Sequence, residues 1–126
     1  MWRNNKTNFQ FLIFNFQTKA MSNRSEKITE ILRDLGARFL LLHGNKSSLI
    51  TVTRVVLTGD EKYATIFFTV FPENFEKTAL EFAKRKRSEF KGFVKENSKL
   101  GRIPMMDFEI DLGEKNRQRI DSLLSE

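Results

Sequence analysis

The chain contains no cysteine and a single histidine, His43, among its 126 residues. The absence of cysteine excludes disulfides, thiolate metal ligands and cysteine nucleophiles, and it is typical of proteins of the reducing cytoplasm. His43 stands between an apolar run and a turn-rich loop, which indicates a helix-end or loop residue. A lone imidazole has no second one with which to form a metal site. We therefore expect no metal, no other cofactor and no enzymatic activity.

The sequence also lacks an apolar run long enough to span a membrane. Its N-terminal apolar stretch, Phe9 to Phe16, is interrupted by two amide side chains and falls short of the roughly 20 residues that a membrane helix needs. Basic residues precede this stretch, so a secretory signal is one alternative. Met21 opens a segment typical of a protein start. We predict that residues 1–20 are a disordered extension or a mis-assigned start and that residues 21–126 form one domain.

Beyond residues 1–20, which contain no acid, acidic residues are scarce in one segment only. Residues 84–102 carry eight basic and two acidic side chains, a net charge of +6 that equals the excess of the whole chain. Residues 26–83 carry seven basic and eight acidic side chains, and residues 103–126 carry three and six. The positive charge is therefore a local patch, of the kind that attracts phosphate backbones or anionic membrane surfaces.

The spacing of apolar residues predicts the first three elements. Three- and four-residue steps predict an amphipathic helix from Ser25, as its N-cap, to about Gly44. Two runs of β-branched and aromatic residues follow, Ile50 to Leu57 and Tyr63 to Phe71, separated by the turn sequence TGDEK. This arrangement is typical of a β-hairpin.

The next helical pattern, which opens at Pro72, fails in its middle. Position 86, where the inward-facing series expects an apolar residue, is lysine, and an unpaired lysine is not buried in a core. We predict that the helix breaks at Lys86, Arg87 and Ser88, with Ser88 as the cap of the second piece.

The C-terminal part predicts a third strand and a last helix. In residues 103–112 apolar side chains alternate with Asp107, Glu109 and Asp111, which predicts a strand with one solvated face. The packing residues predicted for the last helix are Ile120, Leu123 and Leu124. The order is α-β-β-α(broken)-β-α, an α+β domain.

Three motifs occur along the chain. TVTRV is followed by Thr58, Asp60 and Ala64; RIPMMDFEID contains Pro104 and Phe108; and RSEKITEILRDL opens the first helix. Together, and at these separations, the motifs resemble the ribosome-binding factor A family of bacterial small-subunit assembly factors. The resemblance runs without gaps over residues 24–124.

The resemblance implies a single type II KH-like domain with a three-stranded sheet and the helices packed on one face. It further implies a non-catalytic factor that binds the immature small (30S) ribosomal subunit and its 16S rRNA and assists rRNA processing and late maturation. Its partners would be rRNA and ribosomal proteins, and the protein would be a cytoplasmic monomer without membrane contact. A free-standing KH-like module that acts on other RNA is the alternative.

The sequence departs from the family pattern at the helix break. The family places Ala-x-Gly there, whereas this chain has Lys86, Arg87 and Ser88, and the family's following arginine corresponds to Lys91. Glycine's conformational freedom is therefore lost at the break. A lysine keeps the charge of an arginine without its bidentate geometry.

Ordinary KH domains hold nucleic acid with a GxxG loop, and no two glycines of this chain have that spacing. The expected RNA contact is instead a basic ridge along the broken helix and the loop after it. Its residues are Lys84, Arg85, Lys86, Arg87, Lys91, Lys95, Lys99 and Arg102. Such cations contact phosphates, so we expect recognition of RNA shape rather than of a short sequence.

Three simpler interpretations stand beside this one. The basic segment is also compatible with an ordinary solvated helix face. Phe67, Phe68 and Phe71 on the second strand suggest base stacking on an open sheet, although strand phenylalanines of this kind are usually core residues. The carboxylates of the third strand are more typical of a soluble sheet edge than of a metal site.

Overall fold

The computed structural model describes residues 23–44 and 46–125. Four helices and three strands lie in these residues, in the predicted order. They are α1 (Asn23–His43), β1 (Leu49–Leu57), β2 (Tyr63–Phe71), α2 (Glu76–Arg85), α3 (Arg87–Asn97), β3 (Met105–Ile110) and α4 (Leu112–Leu124), with a 3₁₀ turn at Glu73–Phe75 before α2. The α+β class and the helix-end position of His43 are confirmed. The interpretation of residues 1–20 concerns residues outside the described part.

The three strands form one mixed sheet in the order β1-β2-β3. β1 and β2 are antiparallel, with Leu57 opposite Ala64, and the register shifts by a bulge between Val52 and Arg54. β3 runs parallel to β2, because α2 and α3 carry the chain back to the starting end of the sheet before β3 begins.

The turn between β1 and β2 also holds the start of α1. The Asp60 carboxylate accepts hydrogen bonds from the Thr58 hydroxyl (2.6 Å) and the Lys62 amide (3.1 Å). Glu61 has a φ of 61°, and its carboxylate accepts from Arg24 (2.9 Å) and from the Ser25 hydroxyl (2.8 Å). The prediction that Ser25 is the N-cap is therefore wrong: α1 begins two residues earlier, and the Ser25 side chain binds the hairpin turn.

The core lies between the sheet and the first three helices. Phe39 of α1, Phe90 of α3 and Phe108 of β3 are fully buried, and the Phe90 ring lies 5.2 Å from Phe39 and 5.3 Å from Phe108 between centroids. A Cβ at Gly36 would lie 3.4 Å from the Ile66 side chain, so α1 passes close to the sheet at this position. Met106 and Phe108, apolar side chains of the alternating third strand, are buried in this core.

The helix interruption lies at Lys86. The Lys86 backbone has φ −96° and ψ 9°, and its N–H donates to the carbonyls of Phe82 and Ala83, both at 3.1 Å. Its ammonium lies 3.0 Å from Glu89 and 6.0 Å from the centre of the Phe82 ring. The lysine thus stays partly exposed with an acidic partner, which explains how it replaces an apolar residue at this position.

Ser88 does not cap α3. The N-cap position belongs to Lys86, which makes no side-chain capping bond, and Ser88 is exposed inside the first turn of α3. The prediction of a serine cap was wrong because α3 begins at Arg87, which places Ser88 inside the helix: the Phe90 amide donates to the Lys86 carbonyl at 2.9 Å as the first hydrogen bond of α3.

The last helix differs from its prediction. Ile120, Leu123 and Leu124 are 56%, 70% and 81% exposed, so they are not its packing residues. α4 is held instead by ion pairs from Lys115 to Glu76 (3.0 Å) and from Arg119 to Glu73 (2.9 Å), together with its cap at Asp111. Helical spacing predicts that the apolar residues share one face, but it does not show whether another element packs against that face.

Asp111 is buried and does not belong to the solvated face of β3. It is only 4% exposed and is the N-cap of α4, where its carboxylate accepts from the Glu114 amide at 3.1 Å. The same carboxylate accepts from the Thr53 hydroxyl (2.6 Å) and from the Arg54 guanidinium (3.1 Å). Asp111 therefore joins β1 to the start of the last helix.

We propose that residues 21–126 fold without the first 20. The buried apolar residues of the described part begin at Ile28 and form one cluster. A chain that begins at Met21 should unfold cooperatively, with a melting temperature within about 2 °C of the full chain, since about 1 kcal/mol corresponds to several degrees at this size. A much lower melting temperature by circular dichroism would show that the first 20 residues pack on the domain.

Candidate nucleic-acid interface

The exposed side of α3 carries regularly spaced cations above the core. Lys91 and Lys95 are exposed and lie one helical turn apart, each directly after a buried residue, Phe90 or Val94. Arg87 is exposed one turn earlier. Residues four apart share a helix face, so Arg87, Lys91 and Lys95 form the basic face of α3. Its position is set by the burial of Phe90 and Val94 on the other side of the same helix.

The cations at the α2–α3 junction already have acidic partners. The Lys84 amine lies 3.0 Å from Asp107 and 2.9 Å from Glu109 of β3, and Arg87 lies 3.1 Å from Asp107. Burial lowers the pKa of Lys84, but hydrogen bonds to Glu109 and Asp107 outweigh it, and the pKa is raised above its ordinary value. Burial raises the pKa of Asp107, yet the bond from Lys84 leaves it below its ordinary value. Both groups are therefore charged at neutral pH.

These ion pairs divide the predicted ridge. Lys84, Lys86 and Arg87 have acidic partners, and their charges are largely compensated. The remaining five predicted cations make no ion pair within residues 23–44 and 46–125, namely Arg85, Lys91, Lys95, Lys99 and Arg102. Apart from Arg85, the unpaired cations of residues 84–102 therefore lie on α3 and in the loop that follows it.

The eight cations do not form one continuous strip. Arg85 lines a different hollow, of about 280 Å³, together with His43 and Ser48 at the far end of α1. Arg102 lies toward the hairpin turn, where its charge helps to lower the pKa of Glu61 after the larger effects of hydrogen bonds from Arg24 and Ser25. The structure thus places Lys91 and Lys95 together on α3, Lys99 beyond the end of that helix, and Arg85 and Arg102 in other surroundings.

Two basic residues of α1, Lys27 and Arg38, lie near Lys99, and neither was predicted from the sequence. Lys27 lines a hollow of about 500 Å³ and Arg38 lines one of about 390 Å³, both between α1 and residues 97–100. Ile31 and Lys99 line both hollows, which therefore adjoin. We call this feature the α1 groove. The sequence spacing could have predicted that these side chains lie together. Residues 27, 31, 34 and 38 are separated by four, three and four positions, so they share one face of a helix.

The simpler interpretations can be compared with the structure. Phe68 is fully buried, as expected for a core residue, whereas Phe71 is 72% exposed. Phe67 is half-buried under the Arg54 guanidinium, 4.0 Å from the ring centre. The ring of Phe67 is therefore covered by a side chain of its own sheet, which leaves Phe71 as the exposed phenylalanine of β2.

Asp107 and Glu109, the carboxylates predicted for the solvated edge, bind Lys84. Within the part of the chain that the structure describes, no three acidic, histidine or cysteine residues are grouped so as to hold a metal ion. Nor does any helix of the described ranges combine the length and the apolar character needed to cross a bilayer.

Fold and surface together define a KH-like α+β domain with a basic helical face and without a GxxG loop. Comparison with known proteins identifies the family. The sequence pattern of the ribosome-binding factor A family matches residues 18–124, and the chain belongs to this family. The prediction made from the three motifs is therefore confirmed.

Individual relatives agree with this assignment. Ribosome-binding factor A of Geotalea daltonii is 34% identical over 112 residues, covering 84% of this chain and 89% of the relative. The Geobacter sulfurreducens protein of the same name is 31% identical over 113 residues, covering 84% and 92%. The chain thus corresponds to nearly the whole length of these relatives.

Solved structures share the fold. The crystal structure of ribosome-binding factor A from Thermus thermophilus superposes with a TM-score of 0.59 at 20% identity, covering 68% of this chain and 93% of the other. A homology model of the Thermus thermophilus factor, fitted into a cryo-EM map of a 30S complex, gives 0.56 at 21% identity, covering 63% and 86%. The similarity supports the KH-like architecture.

Proposed function

We propose that this protein is a non-catalytic assembly factor that binds the immature small (30S) ribosomal subunit and its 16S rRNA. The observation that carries the proposal is the correspondence with ribosome-binding factor A relatives over 89% and 92% of their length. The Thermus thermophilus factor has been fitted into a map of a 30S complex, which supports the same partner for this chain. We further propose that binding assists rRNA processing and late maturation.

In this proposal the basic face of α3 contacts rRNA phosphates. Lys91 and Lys95 are exposed and free of ion pairs within the described ranges, so their charges are available to a polyanion. Phosphate contacts give affinity and orientation, and recognition then depends on the shape of the RNA. The proposal includes ribosomal proteins as additional contacts and describes the factor as a cytoplasmic monomer.

Sedimentation tests the choice of partner. Under the proposal the purified protein co-migrates with small subunits in a sucrose gradient and separates from fully assembled ribosomes. Equal binding to small subunits, assembled ribosomes and unrelated RNA would contradict it and favour a free-standing KH-like RNA-binding module. The same gradient run with immature and mature small subunits tests the preference for the assembly intermediate.

Replacing Lys91 and Lys95 by glutamine should weaken binding to small subunits on the order of tenfold while leaving the melting temperature unchanged. Both side chains are exposed on α3 and support no core contact. If each contacts one phosphate, the slope of log affinity against log salt should fall by about 1.4 to 1.8. Titration with labelled protein at several salt concentrations measures both quantities.

The matched control is Lys62→Gln with Lys77→Gln. These lysines are exposed, lie on the hairpin turn and on α2, and make no side-chain ion pair within the described ranges. Since net charge acts at long range, both double variants lose the same general attraction. Equal losses of affinity and slope in the two proteins would refute a located contact on α3.

A further inference from the structure

The α1 groove is a second cationic surface, separate from the basic face of α3 but next to it. Its two hollows lie side by side, with Lys27 and Lys99 in one and Arg38 and Lys99 in the other. Lys99 follows the end of α3 by two residues. Lys99, which lines both hollows, is therefore the groove cation nearest in the chain to Lys91 and Lys95.

The cations of the groove are not neutralised by acidic neighbours. Within the two described ranges, Lys27, Arg38 and Lys99 make no ion pair, and all three are exposed. Asp34 is the acidic residue that lines the groove. Arg24, at one end, is bound to Glu61 at 2.9 Å. The groove thus has a positive excess that no ion pair among the described residues removes.

The floor of the groove is apolar and its outer wall is fixed. Ile31 lies between the two hollows, with Leu35 and Leu100 beside it. The wall formed by residues 97–100 is tied to α3: the Ser98 hydroxyl donates to the Val94 carbonyl at 2.7 Å, and the Leu100 amide donates back to that hydroxyl at 3.4 Å. The opening between α1 and this loop therefore exists in the folded protein before any ligand binds.

The dimensions suit a strand of nucleic acid. Lys27 and Arg38 are eleven residues apart on α1, which corresponds to roughly 16 Å at about 1.5 Å per residue. Successive phosphates of one strand repeat every few ångströms along its axis, so the groove spans several of them. An apolar floor between cations accommodates unpaired bases while the phosphates face the charges. A duplex cannot place its bases on such a floor because they are stacked inside the helix.

We infer that the α1 groove binds a single-stranded RNA segment, with Lys27, Arg38 and Lys99 contacting its phosphates and Ile31 lying under its bases. This rests on the proposed function, which supplies RNA as the partner class, and adds a second contact site and the form of the RNA bound there.

The test compares Lys27→Gln/Arg38→Gln with the control Arg33→Gln/Lys77→Gln in the full chain. Each double variant removes one lysine and one arginine, and the control residues are exposed outside the groove. The probe is a fluorescent single-stranded oligouridylate, measured by anisotropy at several salt concentrations. The groove variant should bind on the order of tenfold more weakly, with a salt slope lower by about 1.4, and the control should show a clearly smaller loss. Equal losses in both variants would overturn the inference.

Two further measurements identify the occupant. A duplex RNA of the same length should lose less affinity than the single strand in the groove variant, because the duplex does not reach the apolar floor. An equal loss for the duplex would overturn the single-strand assignment. Poly-glutamate should not displace the oligouridylate from the wild-type protein at equal charge concentration. Displacement at that concentration would show that the groove prefers an acidic peptide and would also overturn it.

The inference and the proposed function fail in different ways. If the wild-type protein does not co-sediment with small subunits, the proposed function is wrong whatever the oligouridylate shows. If the wild-type protein binds subunits but the groove and control variants bind oligouridylate equally, the groove assignment alone is wrong. Melting curves of both variants verify that they are folded, as expected for exposed side chains without ion pairs in the described ranges.

Discussion

Phe90→Ala is expected to lower the free energy of unfolding by roughly 3–5 kcal/mol, the range observed when a buried phenylalanine is cut back to alanine. Phe90 is completely buried, and its ring lies between those of Phe39 and Phe108 at centroid distances of 5.2 and 5.3 Å. These contacts join α1, α3 and β3. Small domains have only about 5–15 kcal/mol of stability, so this loss is a large fraction of the total.

Phe71→Ala is the matched control for this substitution. Phe71 is the same residue type but is 72% exposed on the last position of β2. Its replacement should change the unfolding free energy by at most about 0.5 kcal/mol, as for most surface positions. Urea unfolding followed by circular dichroism measures both variants. Comparable losses for the two would mean that the burial of Phe90 is not what holds α3 on the core.

Asp111→Ala is expected to cost roughly 2–4 kcal/mol. The substitution removes an N-cap, which is worth about 1 kcal/mol, and the hydrogen bonds that Asp111 accepts from the Thr53 hydroxyl and the Arg54 guanidinium. The Thr53 hydroxyl keeps the Phe67 carbonyl as an acceptor at 3.2 Å and the Arg54 side chain is half exposed, so each lost bond is worth about 0.5–1.5 kcal/mol. Asp121→Ala, which removes an exposed carboxylate later in α4, is the control and should cost less than about 0.5 kcal/mol. The same urea measurement applies, and equal effects would contradict the role assigned to Asp111.

The pH dependence of stability gives a second measure of Asp111. Burial raises the pKa of this carboxyl, but hydrogen bonds from Thr53, the Glu114 amide and Arg54 outweigh it, so the pKa lies below its ordinary value of 3.8. A group whose pKa is lowered by folding stabilises the protein above its unfolded pKa and loses this contribution as the pH falls below it. The wild-type protein should therefore lose stability below about pH 4. Asp111→Asn should lose less over the same interval, and an identical decline would contradict the assignment.

Local sequence signals predicted most of the fold. The β2 strand has its predicted ends, Tyr63 and Phe71, because a run of β-branched and aromatic residues bounded by a turn and a proline leaves little freedom. Lys86, the polar residue in an apolar helical series, marks the interruption. Such signals lie within about ten residues of chain, which is the range over which helical and strand periodicity acts.

The features that the sequence did not predict depend on distant parts of the chain. An aspartate after an alternating strand fits both a solvated face and a helix cap, and only the approach of Thr53, 58 residues away, gives Asp111 its buried place. Lys84 is paired because the parallel pairing of β3 with β2 brings Asp107 and Glu109 beside α2. Neither contact has a local signature.

The break at Lys86 also makes the basic face of α3 dependent on folding. It leaves α2 and α3 as pieces of 10 and 11 residues, and isolated helices shorter than about 12–15 residues are barely stable in water. The spacing of Lys91 and Lys95 along one face therefore exists only while Phe90 and Val94 are packed in the core. A ligand that recognises this spacing binds the native state and not the unfolded chain, so an assembling subunit at about 100 times its dissociation constant would stabilise the protein by about 2.7 kcal/mol. Under the proposed function, subunit binding therefore favours the native protein, and release returns it to the smaller stability of the unbound chain.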